Sequence, residues 1–467
     1  MLLKTNYAEG GMDAKNQNFW EDKIESGPVP ENDAAFDIIV VGGGPAGSAA
    51  ASYAALDGNK VLLLEKSNYP KDKTCGDAVG GKSLSHVEEL GVGKMLMSTP
   101  HFEFDSVIFS SPSGDEFRVK LPHGKLAGYV FPRIQFDWVL FHRAVELIRK
   151  NGGSVIQNFA VKELVYENVD GGGDPGIKSG DKRKVMGVKG KYGDKGLAFH
   201  APLTIGAGGV YCPVADSLIR ETYGQNLVDK KKKHYSAAFR QYWKGVGGVD
   251  DKLGAIEFHY VEGVLPGYFW IFPIGNGISN VGFGMALADI YKQDKKLKGL
   301  QEFVINGRFA DRFKNAELIG GSSKGWQLPL GSPRRTSTKP RRAFGNGCML
   351  IGDSASLVDP FTGEGIGNAL LSAKLAISFF DKIVDRNGLP LEKGKKYQRK
   401  LWDTLGKELT NSFKLQNYTR RKWLVNWFVK KANKKQELRR LLTESLTSRE
   451  AQVKLTSPWL LFRHLVF

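Results

Sequence analysis

The 467-residue chain has only three cysteines, Cys75, Cys212 and Cys348. They are too few for a disulfide scaffold, and their separations match no zinc site, so reduced thiols and no metal are expected. The chain also lacks an uninterrupted apolar run of the ~20 residues that a membrane-spanning helix needs. Its first 35 residues hold no basic start followed by an apolar signal core, which argues against secretion through a signal peptide. They are polar, carry Gly10, Gly11, Pro28 and Pro30, and read as a flexible extension without a packed element. The expected location is cytoplasmic, with peripheral attachment to the cytoplasmic face of a membrane as the alternative. A second nucleotide-binding fingerprint is absent too. The GGGDPG at 171–176 follows no strong strand and reads as a surface turn.

Glycine and positive charge are abundant. The 56 glycines exceed the usual ~7% usage and point to tight turns and close backbone approaches. The net charge of +18 is uneven, because residues 391–467 carry 19 basic and 6 acidic residues. Such a concentration attracts nucleic acid or an anionic membrane, or forms a solvated helical face. No recognised nucleic-acid module accompanies it, so no specific nucleic-acid partner is expected.

The most informative stretch begins at Phe36–Val41, FDIIVV, which has the composition of a buried parallel strand. Gly42-Gly43-Gly44-Pro45-Ala46-Gly47 follows at once, leading into the helix-compatible SAAASYAALDG. This is a G-x-G-x-x-G turn: Gly42 permits the turn, Gly44 admits a pyrophosphate, and Gly47 permits close helix–strand packing. Amides at the helix start, around Pro45 and Ala46, stabilise phosphate charge. A second strand, Lys60–Leu64, ends in Glu65, at the right interval to accept hydrogen bonds from a ribose diol. Lys66 adjoins the same site. An ordinary strand-end charge is the plain alternative for Glu65. Strand, turn, helix, strand and acid in order specify a dinucleotide site, which NAD and FAD share.

The segment from Leu350, LIGDSASLVDPFTGEGIGNALLSAK, resembles the glutathione-reductase-like flavoproteins, and more narrowly the para-hydroxybenzoate-hydroxylase-like group. The resemblance implies FAD. It places Asp353, after Gly352, on the flavin ribityl chain. It brings the Gly365-Ile366 backbone to the flavin ring or pyrophosphate, at the start of a helix containing Asn368–Ala373. Arg133, in YVFPRIQFDWVLFHRAV, resembles an arginine that precedes a helix and approaches the cofactor, with a solvent salt bridge as its alternative role. That helix is expected to begin near Phe136 or Asp137. Where related flavoproteins carry Gly-Ala-Asp-Gly, this chain has Gly206-Ala207-Gly208-Gly209.

Tyr268-Phe269-Trp270-Ile271-Phe272-Pro273, with Gly282-Phe283-Gly284 downstream, resembles the YxWxFP and GxG pattern of geranylgeranyl reductases. In that family the region contributes to a cavity that places a polyprenyl chain beside the flavin. Tyr268, Trp270, Phe272, Pro273, Gly282 and Gly284 are therefore substrate-site candidates, against the reading of an aromatic core strand ended by Pro273. Lys73-Thr74-Cys75-Gly76-Asp77 resembles the family's KxCG segment. Cys75 and Gly76 would contact flavin or substrate, and Cys75 is the weak candidate for a catalytic role.

The resemblance implies an α/β FAD-binding domain, Rossmann-like and of glutathione-reductase type, with an inserted β-rich substrate lobe and a C-terminal helical extension. The expected division is an extension over 1–35, the FAD-binding domain over 36–210 and again over 345–385, the lobe over 211–344, and the basic aromatic extension over 386–467. The implied activity is FAD-dependent reduction of carbon–carbon double bonds in a geranylgeranyl or related polyprenyl substrate. NADPH, ferredoxin or another reduced carrier would donate electrons, and no residue is assigned as proton donor. A monooxygenase or halogenase, and an inactive lipid-binding flavoprotein, are the alternatives. In the extension, Trp402, Phe413, Trp423, Trp427 and Phe428 lie among lysines and arginines, a composition suited to an anionic membrane surface or to a cap over the protein.

Overall fold

A computed structural model describes residues 19–122, 124–168, 183–223, 234–293, 296–332 and 341–445. The GGGDPG segment and the final PWLLFRHLVF lie outside the described residues.

The apolar run after Asp37 forms the strand Ile38–Val41, with all four side chains buried. Val61–Leu64 and Leu203–Gly206 pair with it in parallel on either side. Among the described residues this sheet has six strands, ordered Phe344–Gly345, Cys348–Leu350, Leu203–Gly206, Ile38–Val41, Val61–Leu64 and Ser154–Ile156. Central parallel strands of this apolar composition need cover on both faces. Helices α1 (Pro45–Leu56), α2 (Arg133–Lys150) and α3 (Ile366–Ile377) provide part of it. A second sheet of four strands, Ala34–Ala35, Lys195–His200, Arg183–Tyr192 and Phe159–Asn168, provides more, and one hydrophobic core joins all of them. The small residues of α1 let it sit so close that every residue from Pro45 to Ser52 is buried.

Residues 19–35 correct the expectation of an extension without packed elements. Trp20 is buried, Phe19 meets Trp20 and Trp138 edge-on, and the Trp138 indole N–H donates to the Asp22 carbonyl at 2.8 Å. Ala34–Ala35 pairs with Phe199–His200. A few aromatic anchors hold a stretch whose average composition is polar.

The larger sheet has ten strands. Its path runs Glu317–Leu318, Tyr235–Lys244, Ile278–Ala286, Tyr268–Gly275, Leu253–His259, Phe102–Ser110, Gly128–Val130 and Ala78–Gly80. Lys324–Pro329 joins it beside Tyr235–Lys244, and Glu116–Lys120 beside Phe102–Ser110. Strands from 78–130 thus interleave with strands from 235–329. The C-terminal helices are α4 (Leu391–Tyr418), α5 (Lys422–Lys434) and α6 (Gln436–Ser445). Tyr397, Leu401, Leu405 and Leu409 of α4 enter the core of the six-stranded sheet. Val429 and Ala432 of α5, with Leu438 and Leu442 of α6, pack on Phe117 and Val119 of the larger sheet.

Candidate functional site

Residues of both lobes and of α4–α6 line one cavity of about 1760 Å³. On its α/β side lie Gly42, Gly44, Pro45, Ala46, Glu65, Lys66, Arg133, Asp353, Gly365 and Ile366. The turn between the first strand and α1 explains its glycines. Gly42 has φ +108°, and a Cβ there would come within 2.5 Å of the Ala207 carbonyl oxygen. Gly47 faces away from the cavity, and its Cβ would sit 1.7 Å from the Gly42 oxygen. Only hydrogen fits between helix and strand at that point. At Gly44 a Cβ would meet nothing within 4 Å, so the backbone borders open space in the cavity.

Glu65 is buried and accepts from the Gly43 amide at 2.7 Å and the Ser67 amide at 2.9 Å, with Lys71 Nζ at 2.7 Å. Burial works to raise its pKa, but Lys71 and the two amides outweigh burial and hold the carboxyl below its ordinary range. Asp353 pairs with Lys73 at 3.1 Å. Gly352 lies beneath, at φ +56°, and does not line the cavity. Gly208, at the position where related flavoproteins have an acid, would place a Cβ 3.1 Å from Cys212 Cα. Arg133 begins α2, three residues before the expected start, and its guanidinium binds Asp137 through two bonds of 2.6 and 2.7 Å. Burial opposes the Arg133 charge, while Asp137 and Cys75 raise its pKa above the ordinary range.

The opposite side of the cavity is aromatic. Successive side chains of a strand face opposite ways, and here Tyr268, Trp270 and Phe272 line the cavity while Phe269 and Ile271 enter a separate core. Pro273 falls off the cavity by the same alternation. Gly282 lies behind Trp270, its partner across the sheet, where a Cβ would come within 2.4 Å of the indole. Gly284 lines the cavity opposite Tyr268. The Tyr268 hydroxyl donates to the Thr362 carbonyl, tying this wall to the loop before α3.

Sequence reasoning missed how far the aromatic wall extends. Phe258 meets Tyr268 and Phe272 edge-on at 5.1 and 5.0 Å, stacks on Phe109 at 5.5 Å, and Phe109 stacks on Phe117 at 5.3 Å. Trp427, Phe428 and Val429 close the far end. The alternating pattern of FEFDSVIFS and EFRVK carried that signal.

It also missed the polar groups around the loop 71–77. Asp72 accepts both oxygens' bonds from Arg240, at 2.9 and 2.7 Å, and pairs with Lys324 at 2.7 Å. Asp77 accepts from the Tyr242 hydroxyl at 2.6 Å and from the Asn280 amide at 2.7 Å. Asn280 in turn accepts the Trp270 indole N–H at 2.8 Å and donates to the Cys75 carbonyl at 2.8 Å. Cys75 and Gly76 line the cavity here, and a Cβ on Gly76 would lie 2.8 Å from the Phe272 ring. Burial pushes the Cys75 thiol up despite the Arg133 guanidinium beside it. That disfavours a standing thiolate. Beside α3, Lys82 pairs with Glu408 of α4, and burial raises the carboxyls of Asp359 and Glu364.

The family described as FAD dependent oxidoreductase matches residues 37–70, the strand–turn–helix–strand just described. At family level the chain matches the FAD-dependent oxidoreductases. It is 29% identical to a menaquinone reductase of Mycobacterium tuberculosis over 75% of this chain and 77% of that one. It is 29% identical to digeranylgeranylglycerophospholipid reductase 1 of Methanococcoides burtonii over 81% of this chain and 82% of the relative. In fold it matches a geranylgeranyl bacteriochlorophyll reductase-like protein of Thermoplasma acidophilum, with a TM-score of 0.71 at 22% identity, covering 92% and 98% of the two chains. A flavin-dependent brominase matches with a TM-score of 0.62 at 19% identity, covering 92% and 93%. The chain is thus an FAD-dependent oxidoreductase, similar in sequence to geranylgeranyl- and menaquinone-reductase flavoproteins, and its α/β fold with a curled β lobe and C-terminal helices agrees. FAD is its cofactor. The site suits that group: open space over the Gly44 backbone borders the helix start, and an ionised, buried Glu65 stands at the end of the second strand.

Proposed function

We propose that this flavoprotein reduces carbon–carbon double bonds in a geranylgeranyl or related polyprenyl group. The observation that carries the reading is the single cavity that joins the glycine-rich turn and Asp353 to the wall of Tyr268, Trp270 and Phe272. Large apolar rings with few polar groups suit a hydrocarbon chain. The curated relatives named for polyprenyl lipids and menaquinone support the same substrate class.

In this reading Gly42, Gly44, Pro45, Ala46 and Gly47 build the phosphate turn. Glu65 and Lys66 serve the adenosine ribose, and Gly352 and Asp353 the ribityl chain. Arg133, Cys75, Gly76 and the Gly365-Ile366 backbone border the flavin. When bound, FAD supplies the redox chemistry. The chain's own residues orient the alkene against it: Tyr268, Trp270 and Phe272 exclude water from one face, with Gly284 giving close backbone approach. Gly282 acts through Trp270, and Pro273 as a strand-end residue. NADPH, ferredoxin or another reduced carrier supplies electrons from outside. Among the described residues no helix is long and apolar enough to cross a membrane, so a lipid substrate would be met by peripheral attachment, on the cytoplasmic face.

Anaerobic incubation of the dithionite-reduced holoenzyme with geranylgeranyl lipids tests the reading. A gain of two mass units per reduced double bond is expected. No saturation across chain lengths and head groups would defeat it, and oxygen- or halide-dependent products would assign the site to a monooxygenase or halogenase instead.

A further inference from the structure

The site described so far lacks a proton source, and saturation of an alkene needs one. Among the carboxyls of the cavity, Asp77 is bonded to the aromatic wall through Asn280. It follows Cys75-Gly76, is held at φ +68°, is fully buried, and belongs to the cavity lining. One carboxyl oxygen, Oδ2, accepts from Tyr242 and Asn280. The other, Oδ1, is buried without a hydrogen-bond partner among the described residues. A buried carboxylate oxygen left without a donor is costly, whereas a carboxylic acid carries its own donor. By contrast, Glu65 and Asp72 are ion-paired, and Asp359 caps the Phe361 and Thr362 amides. Glu364 shares with Asp77 a buried oxygen without a partner among the described residues, but its other oxygen caps the Gly367 amide at the start of α3 and the residue is only partly buried.

Its partners tie Asp77 to both halves of the site. Through Asn280 it is joined to the Trp270 indole, in the middle of the aromatic wall. The guanidinium of Arg133, which begins α2 on the α/β side, works to lower the pKa of the Cys75 thiol two residues before Asp77. The charged and titratable groups that face it are Arg240 and Tyr242 of the strand Tyr235–Lys244, with Asp72 and Cys75 of its own loop. We propose that Asp77 is the proton donor of this site, delivering its carboxyl proton to the alkene. Burial is the largest influence on this carboxyl and raises it to about 6, against Arg240 and the Tyr242 hydrogen bond, which lower it.

The inference rests on the alkene-reductase reading, and the step balances as follows. One alkene carbon receives a hydride equivalent from reduced FAD. The π pair takes the Asp77 proton, so the carboxyl O–H breaks and the second C–H forms. The carboxylate left behind is reprotonated from solvent, and a reduced carrier restores the flavin.

The test compares wild type, Asp77→Asn and Asp77→Glu as FAD-loaded proteins, reduced with dithionite and given a digeranylgeranyl glycerophospholipid without oxygen. Bound flavin, lipid affinity and melting temperature report that each variant is folded. Asp77→Asn is expected to slow saturation about 100-fold or more, in the range of general-acid effects, with FAD and lipid binding within a few-fold of wild type. Asp77→Glu is expected to recover part of the rate. The wild-type rate is expected to fall as pH rises through the carboxyl's titration, since only the acid form donates. In parallel, infrared spectra of the oxidised, lipid-free holoprotein should show a protonated-carboxyl band that titrates near pH 6 and is missing from Asp77→Asn. An active wild type matched by Asp77→Asn, or no such band, overturns the assignment of Asp77 alone. A wild type that saturates no polyprenyl lipid overturns the reductase reading and this donor with it.

Discussion

Gly282 shows how a residue outside the cavity can set its shape. Trp270 packs against it, with two ring carbons within 2.8 Å of where a Cβ would be, and the Phe239 carbonyl oxygen lies 2.3 Å from the same point. Gly282→Ala therefore has nowhere to relax except by moving the indole. We expect a stability loss of about 1–3 kcal/mol, as for overpacked cores, seen as a lowered melting temperature. Because the displaced ring is a wall of the cavity and a donor to Asn280, lipid affinity should fall as well, while flavin binding holds. Unchanged melting and lipid affinity would show that the wall is not rigid at Trp270. The glycine motif itself was legible in the sequence, because GxG beside an aromatic strand is a local signal. Asp77 was not, since its role depends on Tyr242 and Asn280, which reach it only through sheet pairing.

At the scale of elements, the parts with local periodicity were read well. Ile38–Val41, Val61–Leu64 and α3 occupy the expected segments. α2 starts at Arg133, ahead of the expected position, directly after the N-cap Pro132 at φ −49° and ψ 130°. What could not be read was the parallel pairing of Leu253–His259 with Phe102–Ser110, which leaves no local trace. That pairing places Phe109 beside Phe258 and extends the aromatic wall toward α5. The C-terminal helices are consequently part of the cavity. Val429, nearly fully buried against Phe117 and Val119, is the position to probe. Val429→Asp buries a charge with no partner and should release α5 from the sheet. Limited proteolysis is expected to cut between α4 and α5 sooner than in wild type, with weakened lipid binding and unchanged flavin absorbance. Equal protease resistance would argue that α5 is anchored elsewhere.

For the molecule as a whole, the proposed polyprenyl substrate would have to enter a cavity lined by two lobes and three helices. Trp423 is one of the cavity-lining residues and is also 63% exposed, so it stands at the boundary between the cavity and the surface. Over 421–444 six exposed side chains are basic, Arg421, Lys422, Lys430, Lys434, Arg439 and Arg440, against two exposed acids, Glu437 and Glu444. An exposed tryptophan among cations is the arrangement that settles at the level of anionic lipid head groups, and the net charge of +18 favours approach to such a surface. Among the described residues no helix is long and apolar enough to cross a membrane, and attachment through basic side chains is reversible and electrostatic. Sedimentation with vesicles of phosphatidylserine and phosphatidylcholine separates it from a plain cap. Wild type is expected to sediment with phosphatidylserine-containing vesicles at low salt and to be released by high salt, as screening requires. Trp423→Ala should weaken binding several-fold without lowering the melting temperature. Equal, negligible binding to both vesicle types would leave α5 and α6 as a lid alone, and the polyprenyl chain would then have to be delivered to the cavity mouth from solution or by a carrier.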